Sequence, residues 1–361
     1  MEDRKQEVYR QYSMKIYNTY RTRGAFILET DKGLKLLKSF ESSKNRVEFE
    51  NTLQEHLVNQ NYPYVDLYLR NSANEIITED AIKNKYVLKN CHPGEECNLR
   101  DESDVADAAT NLAILHTLLK EVPLTDEQVL HNSYVDLMEV FDKRNRELKR
   151  VRSYIREKRQ KNEFEMCYMN CYDEFYDQAQ KATRILGESN YPELLKEAIE
   201  HKCVCHGNYT YHNIIMLKSN RVACDNRKTY EDTETLSAAG IRKRPVNTNM
   251  ATTNFDKACV GIQIMDLYHF MRKVMEKNDW DLDFGSMILD TYSNILPVDK
   301  QERKLLYVLL LYPEKFWKIT NFYYNGKKSW VPQRNIQKLI GIQEQAERKN
   351  QFLNCLEGTL T

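Results

Sequence analysis

The sequence predicts an α+β protein with a small, strand-rich N-terminal lobe that contains one main helix, followed by a larger, mostly helical C-terminal lobe. β-favouring runs fill the first 92 residues, and the turn-forming stretch HPGEECN at residues 92–98 interrupts that pattern. Beyond it, a segment from about 135 to 186 contains neither Pro nor Gly, the residues that most strongly break helices. We therefore predict an N-terminal domain over residues 1–92 and a C-terminal domain over residues 93–361.

Within the N-terminal lobe, a leading helix is followed by elements in the order β-β-α-β-β. GAFILET and LKLLKSF lie on either side of the turn residues DKG, which is the pattern of a β-hairpin over residues 24–40. YVDLYLRN at residues 64–71 and YVLKNC at residues 86–91 form the two later strands. Between the hairpin and these strands, apolar side chains recur at the spacing of one helix face, namely Val47, Phe49, Leu53 and Leu57.

Helical periodicity returns repeatedly in the C-terminal lobe. We predict helical structure over residues 104–120, 135–186 and 262–278, and helices dominate after residue 300. Residues 219–249 are polar and lack a clear period, which indicates a long, mobile loop.

The composition is that of an ordinary globular protein, with 41% hydrophobic and 29% charged residues among 361. Because 53 basic residues balance 53 acidic ones, no global charge attracts the chain to nucleic acid or to anionic lipid. The N-terminus lacks the apolar core of a signal peptide, and the longest apolar run, LLYVLLLY at residues 305–312, is too short to span a bilayer. We expect synthesis in the cytoplasm, no membrane or nucleic-acid partner, and nine reduced cysteines.

The stretch HKCVCH at residues 201–206 raises the question of a zinc site. On a strand, Cys203 and Cys205 point to one face, but their Cα atoms are about 6.5 Å apart. Zinc-binding cysteine pairs usually have a CxxC spacing instead. The sequence therefore favours buried structural cysteines over zinc ligands.

Two polar stretches are the better candidates for a site. HGNYTYHN at residues 206–213 lies between apolar, strand-like segments, where scaffolds commonly present catalytic side chains. In ATTNFDKA, a strand would place Asn254 and Asp256 on one face and Phe255 on the packed side. A hairpin would bring that face beside Asn213, and such oxygen donors suit Mg²⁺ held together with nucleotide phosphates.

This order of elements resembles the bilobal protein-kinase-like fold. HGNYTYHN resembles the catalytic loop of aminoglycoside and choline kinase-type phosphotransferases, in which HGD is followed by four residues and Asn. Four blocks also resemble, in matching order, the CotS-type spore coat proteins of that superfamily: RGAFILETDKGLKLLKSF, GEEC, NFDKACVGIQIMDLYHFMRKVMEKNDW and YPEKFWKITNFYYNGKKSW. The resemblance spans most of residues 20–335. It implies ATP and Mg²⁺ as cofactors, other spore coat proteins as partners, and assembly at the spore coat.

The resemblance also assigns roles on the nucleotide side of the site. Lys38 in LLKSF matches the strand lysine that meets the α- and β-phosphates, and Glu50 on the following helix matches its ion-pair partner. Glu48 and Glu55 remain alternative partners because they lie close to Glu50 in sequence. Adenine would be held by the backbone of the hinge at residues 89–92, with Asn90, Cys91 and His92 as the cofactor-binding residues.

On the catalytic side, Asn208 matches the position of the general base, and His206 is the second catalytic candidate. Asn213 and Asn254 match metal-binding positions of the superfamily, and Asp256 is a substitute metal ligand. Asp266 matches an aspartate with a structural role.

The chain departs from the superfamily at two of these positions, where Asn208 and Asn254 replace aspartates. An amide is not a base at neutral pH, and the loss of a general base typically costs about 10²- to 10⁴-fold in rate. The first hypothesis is a degenerate, pseudokinase-like structural or scaffold component with weak or absent phosphotransfer. The alternative is an active Mg-ATP-dependent phosphotransferase toward a small hydroxyl or amine compound or a coat protein.

The run KRNRELKRVRSYIREKRQK at residues 143–161 contains ten Lys or Arg and two Glu. Its simplest interpretation is an exposed helix face, and the alternative is a salt-sensitive docking surface for an acidic partner. Tyr154 is the single aromatic residue of the run, which gives little support to nucleic-acid binding.

Overall fold

The structure is a computed structural model that describes residues 2–217, 249–325 and 332–358. Of the loop predicted over residues 219–249, only Asn249 belongs to the described residues. The chain forms two compact units. The first comprises Met1–Asn98, Ile114–Asn132 and His206–Ala258, and the second comprises Leu99–Ala113, Ser133–Cys205 and Cys259–Thr361. The domain boundary drawn after residue 92 stays a prediction.

The predicted α+β class is confirmed, because a small antiparallel sheet precedes a larger helical part. The first elements are α1 (Glu2–Tyr9), β1 (Ile16–Thr22), β2 (Ala25–Thr30), β3 (Gly33–Ser39), α2 (Lys44–Asn59), β4 (Tyr68–Leu69), β5 (Ile77–Glu79), β6 (Lys85–Asn90) and β7 (Gly94–Glu96). The next are α3 (Glu102–Leu118), α4 (Asp126–His131), α5 (Leu137–Glu157), α6 (Glu163–Gly187), α7 (Tyr191–Glu200), β8 (Val204–Cys205), a 3₁₀ turn (Tyr211–Asn213) and β9 (Ile214–Leu217). The last are β10 (Met250–Thr252), β11 (Cys259–Val260), α8 (Ile264–Lys277), α9 (Leu282–Ser293), α10 (Lys300–Leu311), α11 (Glu314–Asn325), α12 (Pro332–Glu344) and α13 (Ala346–Gly358).

The main sheet has the strand order β1-β2-β3-β6-β4, with β5 paired to β6. The hairpin predicted over residues 24–40 is confirmed as β2 and β3, whose register pairs Ala25 with Lys38. Strands β1 and β5 were not expected from the sequence. The prediction of one long strand over residues 64–71 is wrong. Only Tyr68–Leu69 forms a strand there, and Val65 instead forms an isolated bridge to Thr252.

Both faces of the main sheet are covered, which follows from the alternation of side chains along each strand. One face packs on residues at α1, and its buried cluster is Val8, Tyr12, Leu28, Leu37 and Leu88. The other face packs on α2 through Val47, Tyr68, Ile76 and Val87. Since Leu37 belongs to the α1 face, its neighbour Lys38 projects on the α2 side. The helix predicted from its apolar spacing is confirmed, and Ser43 caps it by accepting a hydrogen bond from the Arg46 amide.

Two small antiparallel sheets connect the later strands, one in the order β10-β9-β7 and one of β11 with β8. The helices predicted over residues 104–120 and 262–278 and after residue 300 are confirmed. The single helical stretch predicted over residues 135–186 is wrong in one respect, because α5 and α6 are separate helices. Asn162 caps α6 by accepting from the Glu165 amide, and Glu165 accepts from the Asn162 amide in return, which fixes the new helix start.

The described part of the second unit buries an aromatic-rich core between its helices. Its largest members include Phe164, Tyr168, Tyr172 and Phe316. In the same described residues, no helix is long and apolar enough to cross a membrane.

Candidate functional site

Strands β9 and β10 bring the two polar stretches together in the first unit. Their antiparallel register pairs Ile214 with Thr252, and the Thr253 amide donates to the Asn213 carbonyl oxygen at 2.9 Å. The predicted antiparallel pairing of the two stretches is therefore confirmed, and it brings the backbone of Thr253 beside Asn213.

The expectation that Asn254 and Asp256 lie on one face of a strand is wrong. Strand β10 ends at Thr252, and Asn254 has a left-handed backbone with φ +65°. Asn tolerates this conformation better than most residues because its short polar side chain can bond locally. Phe255 is fully buried, as predicted, so the turn still directs its two polar neighbours away from the core.

Lys38 is the cation that meets these two side chains. Its Nζ lies 3.4 Å from Asn254 Oδ1 and 4.0 Å from Asp256 Oδ2. Asp256 Oδ1 is buried and has no hydrogen-bond partner among the described residues. A buried carboxylate oxygen without a donor is costly, and a cation there would satisfy it.

His206 fixes the shape of the loop. Its Nδ1 accepts a hydrogen bond from the Asn208 amide at 3.3 Å, so the ring is protonated on Nε2, which donates to the Thr253 carbonyl oxygen at 3.0 Å. The ring is fully buried and lies 4.6 Å from the Phe255 ring. This geometry gives His206 a positioning role between the two polar stretches, and direct participation in catalysis stays a prediction.

The remainder of the loop is shaped by Gly207 and Asn213. Gly207 has φ +73°, and a Cβ atom there would lie 1.9 Å from the Lys257 carbonyl oxygen, so only glycine fits. Asn213 Nδ2 donates to the Asn208 carbonyl oxygen at 2.9 Å. Among the described residues, Asn213 Oδ1 has no donor, which leaves it available as a ligand atom next to Asn208.

The predicted ion pair between Lys38 and Glu50 is absent from the described residues, and this expectation is wrong. Lys89 takes the place of Lys38: its Nζ lies 3.7 Å from Glu50 Oε2 and 3.0 Å from Asp66 Oδ2. The register pairs Leu36 with Lys89 and Lys38 with Val87, so both lysines lie on the α2 face of the sheet. Lys89 is the one that reaches the buried carboxylates.

The Glu50 carboxylate is held by two further groups. The Tyr68 hydroxyl donates to Glu50 Oε2 at 2.6 Å, and Arg46 Nε donates to Oε1 at 3.3 Å. Burial and the nearby Glu50 raise the pKa of Tyr68 well above its usual value, so the hydroxyl stays a donor. Glu48 and Glu55, the alternative partners of Lys38, form no ion pair with it in the described structure.

Arg46 connects α2 to the stretch that carries Asp256. Its two terminal nitrogens donate to the Phe255 carbonyl oxygen at 3.0 Å and to Asn132 Oδ1 at 2.8 Å. The helix is thus fixed to the loop by a guanidinium rather than by the Lys38 ammonium.

The hinge residues are bonded within the fold. The Asn90 amide donates to the Leu67 carbonyl oxygen at 2.8 Å, and the Cys91 amide donates to the Leu34 carbonyl oxygen at 3.1 Å. His92 Nε2 contacts the Val65 carbonyl oxygen at 2.9 Å. These contacts lie within the protein and do not involve a nucleotide. The role of Asn90, Cys91 and His92 in holding adenine stays a prediction.

The polar side chains of these two stretches include oxygen donors of the kind that suit a hard cation. One carboxylate from Asp256 and two amide oxygens from Asn213 and Asn254 are oxygen ligands of the kind that Mg²⁺ takes, and Mg²⁺ commonly uses one or two carboxylates. Within the described residues, no group of three or more His, Cys, Asp or Glu could hold a metal. Because Asp256 is the one carboxylate of the proposed ligand set, cation binding here would depend on the amide oxygens of Asn213 and Asn254 as well.

The two cysteines of the HKCVCH stretch lie in the second unit. Cys205 is buried and pairs directly with Cys259 across β8 and β11, whereas Cys203 is partly buried. The hydrogen bond to Cys259, together with burial, raises the pKa of the Cys205 thiol. Asp266 is also fully buried, which agrees with a structural role.

Sequence reasoning missed Lys89, Asp66 and Arg46. The available signal was a lysine inside the apolar run YVLKNC, because a charged side chain in a buried strand requires a partner.

Solved structures confirm the kinase-like fold. An aminoglycoside phosphotransferase from Alicyclobacillus acidocaldarius subsp. acidocaldarius DSM 446 matches with a TM-score of 0.80 at 17% identity, over 98% of this chain and 95% of that one. The amicoumacin kinase hAmiN, solved with AMP-PNP, Ca²⁺ and Ami, matches with a TM-score of 0.59 at 10% identity, over 96% and 92% of the two chains. At these identities the likeness shows the fold alone.

Sequence comparisons confirm the family resemblance. Spore coat protein S of Bacillus subtilis (strain 168) is 22% identical over 334 residues, which cover 91% of this chain and 85% of that protein. The family model described as "Spore coat putative kinase YutH" matches residues 5–225. Because that match covers more than half of the chain, this protein belongs to the spore coat YutH family.

Proposed function

We propose that this protein is a kinase-fold component of the spore coat that works mainly as a structural or scaffold part and has weak or absent phosphotransfer activity. The observation that carries this proposal is Asn208, an amide at the position that the resemblance assigns to the general base. Its loop is ordered by two hydrogen bonds, from the Asn208 amide to His206 Nδ1 and from Asn213 Nδ2 to the Asn208 carbonyl oxygen. The protein's membership of the spore coat YutH family supports association with other coat proteins.

The chemical reason lies in the amide group of Asn208. Its oxygen can accept a hydrogen bond and orient a substrate hydroxyl, but an amide cannot take up the proton at neutral pH. Phosphoryl transfer depends mostly on positioning and charge neutralisation, so a slow reaction remains chemically possible.

We further propose that a weak Mg-nucleotide site persists. Asp256, Asn213 and Asn254 would hold the cation, and Lys38 would contact the phosphates. Mg²⁺ would supply neutralisation of phosphate charge. The amicoumacin kinase solved with AMP-PNP and Ca²⁺ supports a nucleotide and a cation as ligands of this fold.

The second candidate is an active phosphotransferase toward a small hydroxyl or amine compound or a coat protein. Asp256 favours it, because its buried Oδ1 has no partner among the described residues. In this case Asp256 replaces the missing aspartate at position 254 as the metal ligand.

Asp256→Ala tests the cation site. We expect millimolar ATP to raise the melting temperature of the wild type in the presence of Mg²⁺ or Mn²⁺ and much less without them, because a ligand of the native state stabilises it. Asp256→Ala should abolish the metal-dependent part, measured by thermal shift. Asp290→Ala, an exposed aspartate on α9, is the matched control. A rise that is independent of metal, or unchanged in Asp256→Ala, would contradict the proposed ligand.

We propose that the basic face of α5 docks an acidic coat partner. Five of its cations are exposed and form no ion pair with the described residues, namely Lys143, Arg146, Lys149, Arg150 and Arg156.

We expect the protein to bind poly-L-glutamate, with binding that weakens as salt is added and that is reduced in Arg146→Gln/Arg150→Gln. Lys277→Gln/Lys300→Gln, two exposed lysines outside α5, is the control in the same pull-down. An equal loss of poly-L-glutamate binding in both double variants would contradict a docking role for α5.

A further inference from the structure

Cys205 and Cys259 face each other in the two-stranded sheet of β8 and β11. The antiparallel register makes them direct partners, and the neighbouring pair is Val204 with Val260. Both cysteines belong to the second unit, and both are thiols in this structure. Directly opposite residues of an antiparallel pair have Cα atoms about 4.5–5.5 Å apart, which lies inside the range of about 4.4–6.8 Å that a disulfide bond spans.

Backbone hydrogen bonds show which kind of pair the two cysteines form. Two positions along the ladder, the Gly261 amide donates to the Cys203 carbonyl oxygen at 2.9 Å. The Val260 carbonyl oxygen accepts instead from the Tyr134 amide at 2.8 Å, so it points away from β8. Because hydrogen-bonded and non-hydrogen-bonded pairs alternate along an antiparallel ladder, the cysteines form a hydrogen-bonded pair. Such a pair has Cα atoms about 5.5 Å apart and the wider Cβ separation of the two kinds.

The two thiols differ in their surroundings. Cys205 is buried, whereas Cys259 is partly exposed. The hydrogen bond to Cys259, together with burial, raises the pKa of the Cys205 thiol, so this thiol keeps its proton at neutral pH. An accessible thiolate is the nucleophile in thiol chemistry, so Cys259 is the cysteine that a dissolved reagent meets first.

Cys203 is a third thiol close by, and the register separates it from Cys259. It lies opposite Gly261, to which its carbonyl oxygen is hydrogen-bonded, and therefore diagonally across the ladder from Cys259. Diagonal neighbours are about 7–8 Å apart, which exceeds the reach of a disulfide bond. Cys203 thus provides a matched control, because it shares the strand direction and the chemistry of Cys205 without its partner.

We propose that Cys205 and Cys259 are a redox-active pair, which a small-molecule disulfide oxidises to a strained, reversible cross-strand disulfide bond. The Cys259 thiolate attacks the small disulfide, forms a mixed disulfide and releases one small thiolate. Cys205 then gives its proton to water and attacks the Cys259 sulfur, which forms the protein disulfide and releases the second small thiolate. Two protein thiols lose two electrons in total, and one small disulfide is reduced to two thiols.

Strain follows from the kind of pair that the two cysteines form. A disulfide needs Cβ atoms about 3.5–4.5 Å apart, which is closer than a hydrogen-bonded pair holds them. Strained disulfides have less negative reduction potentials than structural ones, so this bond should reopen easily. The bond would close residues 205–259 into a ring that contains the stretches HGNYTYHN and ATTNFDKA. The inference does not depend on the proposed function, because it involves no nucleotide or cation.

Peptide mapping of the full chain tests the proposal after treatment with oxidised glutathione and blocking of the remaining thiols. Trypsin places the two cysteines in separate peptides, residues 203–218 and 258–272. We expect these peptides to be cross-linked, with fragment ions that place the bond between Cys205 and Cys259. Reduced glutathione at about millimolar concentration should remove the cross-link, whereas a structural disulfide would resist it. No cross-link, an arrest at the mixed disulfide with glutathione, or a cross-link that resists reduced glutathione would overturn the proposal.

Cys205→Ala and Cys203→Ala locate the bond, because both residues lie in the same tryptic peptide. We expect Cys205→Ala to lose the cross-link to residues 258–272 and Cys203→Ala to form it as the wild type does. A cross-link that persists in Cys205→Ala, or one that is lost in Cys203→Ala, would overturn the proposal. A melting temperature near that of the wild type shows that each variant is folded. If Cys205→Ala does not fold, the fragment ions of the wild type and the result for Cys203→Ala still decide.

Discussion

Replacing Lys89 with Met is expected to cost about 3–5 kcal/mol in the free energy of unfolding, which is the usual effect of breaking a buried ion pair by removing one partner. The methionine retains the apolar stem but leaves the carboxylates of Glu50 and Asp66, both buried, without their shared cation. The measurement is urea unfolding at neutral pH.

Lys44→Met is the matched control for this variant. Lys44 lies on α2 and pairs with Glu48 at 3.7 Å, but both side chains are exposed, so its loss should cost about 0.5 kcal/mol or less. Removing the charge of Glu50 in a Lys89→Met/Glu50→Gln double variant should recover part of the lost stability. Equal costs for Lys89→Met and Lys44→Met would contradict the role given to Lys89.

The double variant Asn208→Asp/Asn254→Asp is expected to raise Mg-dependent ATP turnover by about 10²- to 10⁴-fold, the range of a general base. The carboxylate introduced at position 208 would accept the proton of the attacking hydroxyl, and the one introduced at position 254 would lie beside Lys38. The measurement is ADP release with Mg²⁺ present. Asn208→Ala/Asn254→Asp restores only the metal carboxylate, so the difference between the two variants isolates the base. Equal rates in both would contradict the role assigned to position 208.

Local patterns made much of the first unit predictable. The hairpin and α2 follow from turn residues and apolar spacing, and their boundaries depend on neighbours in sequence. The approach of Asn213 to Thr253 was also predictable, because two strands joined in one hairpin must meet side by side. The contact between Lys38 and Asn254 is different, because the two residues are 216 positions apart in sequence and no local pattern predicts that they meet.

The partner of Glu50 could not be predicted in the same way. Lys38 and Lys89 lie on one face of the sheet, and only the register of β3 with β6 and the position of Asp66 decide which ammonium is buried. These are contacts between residues far apart in sequence, so propensity and periodicity carry no information on them.

The conformation at Asn254 was missed for another reason. Alternation along ATTNFDKA predicts a strand, but the backbone at Asn254 is left-handed. The next residue, Phe255, is buried, and its carbonyl oxygen accepts a hydrogen bond from Arg46, a contact with a residue far away in sequence. The break between α5 and α6 could have been predicted from the sequence, because Asn162 and Glu165 have the spacing of the capping box that they form. That signal was present and was outweighed by the absence of Pro and Gly.

ATP turnover in the wild type and in Lys38→Ala tests whether this member of the spore coat YutH family keeps the frame of a kinase without robust catalysis. With Mg²⁺ present, we predict that both proteins release ADP at or near the background rate, with no clear difference between them. Clear Mg-dependent turnover in the wild type that Lys38→Ala abolishes would rule out a degenerate kinase and establish an active phosphotransferase.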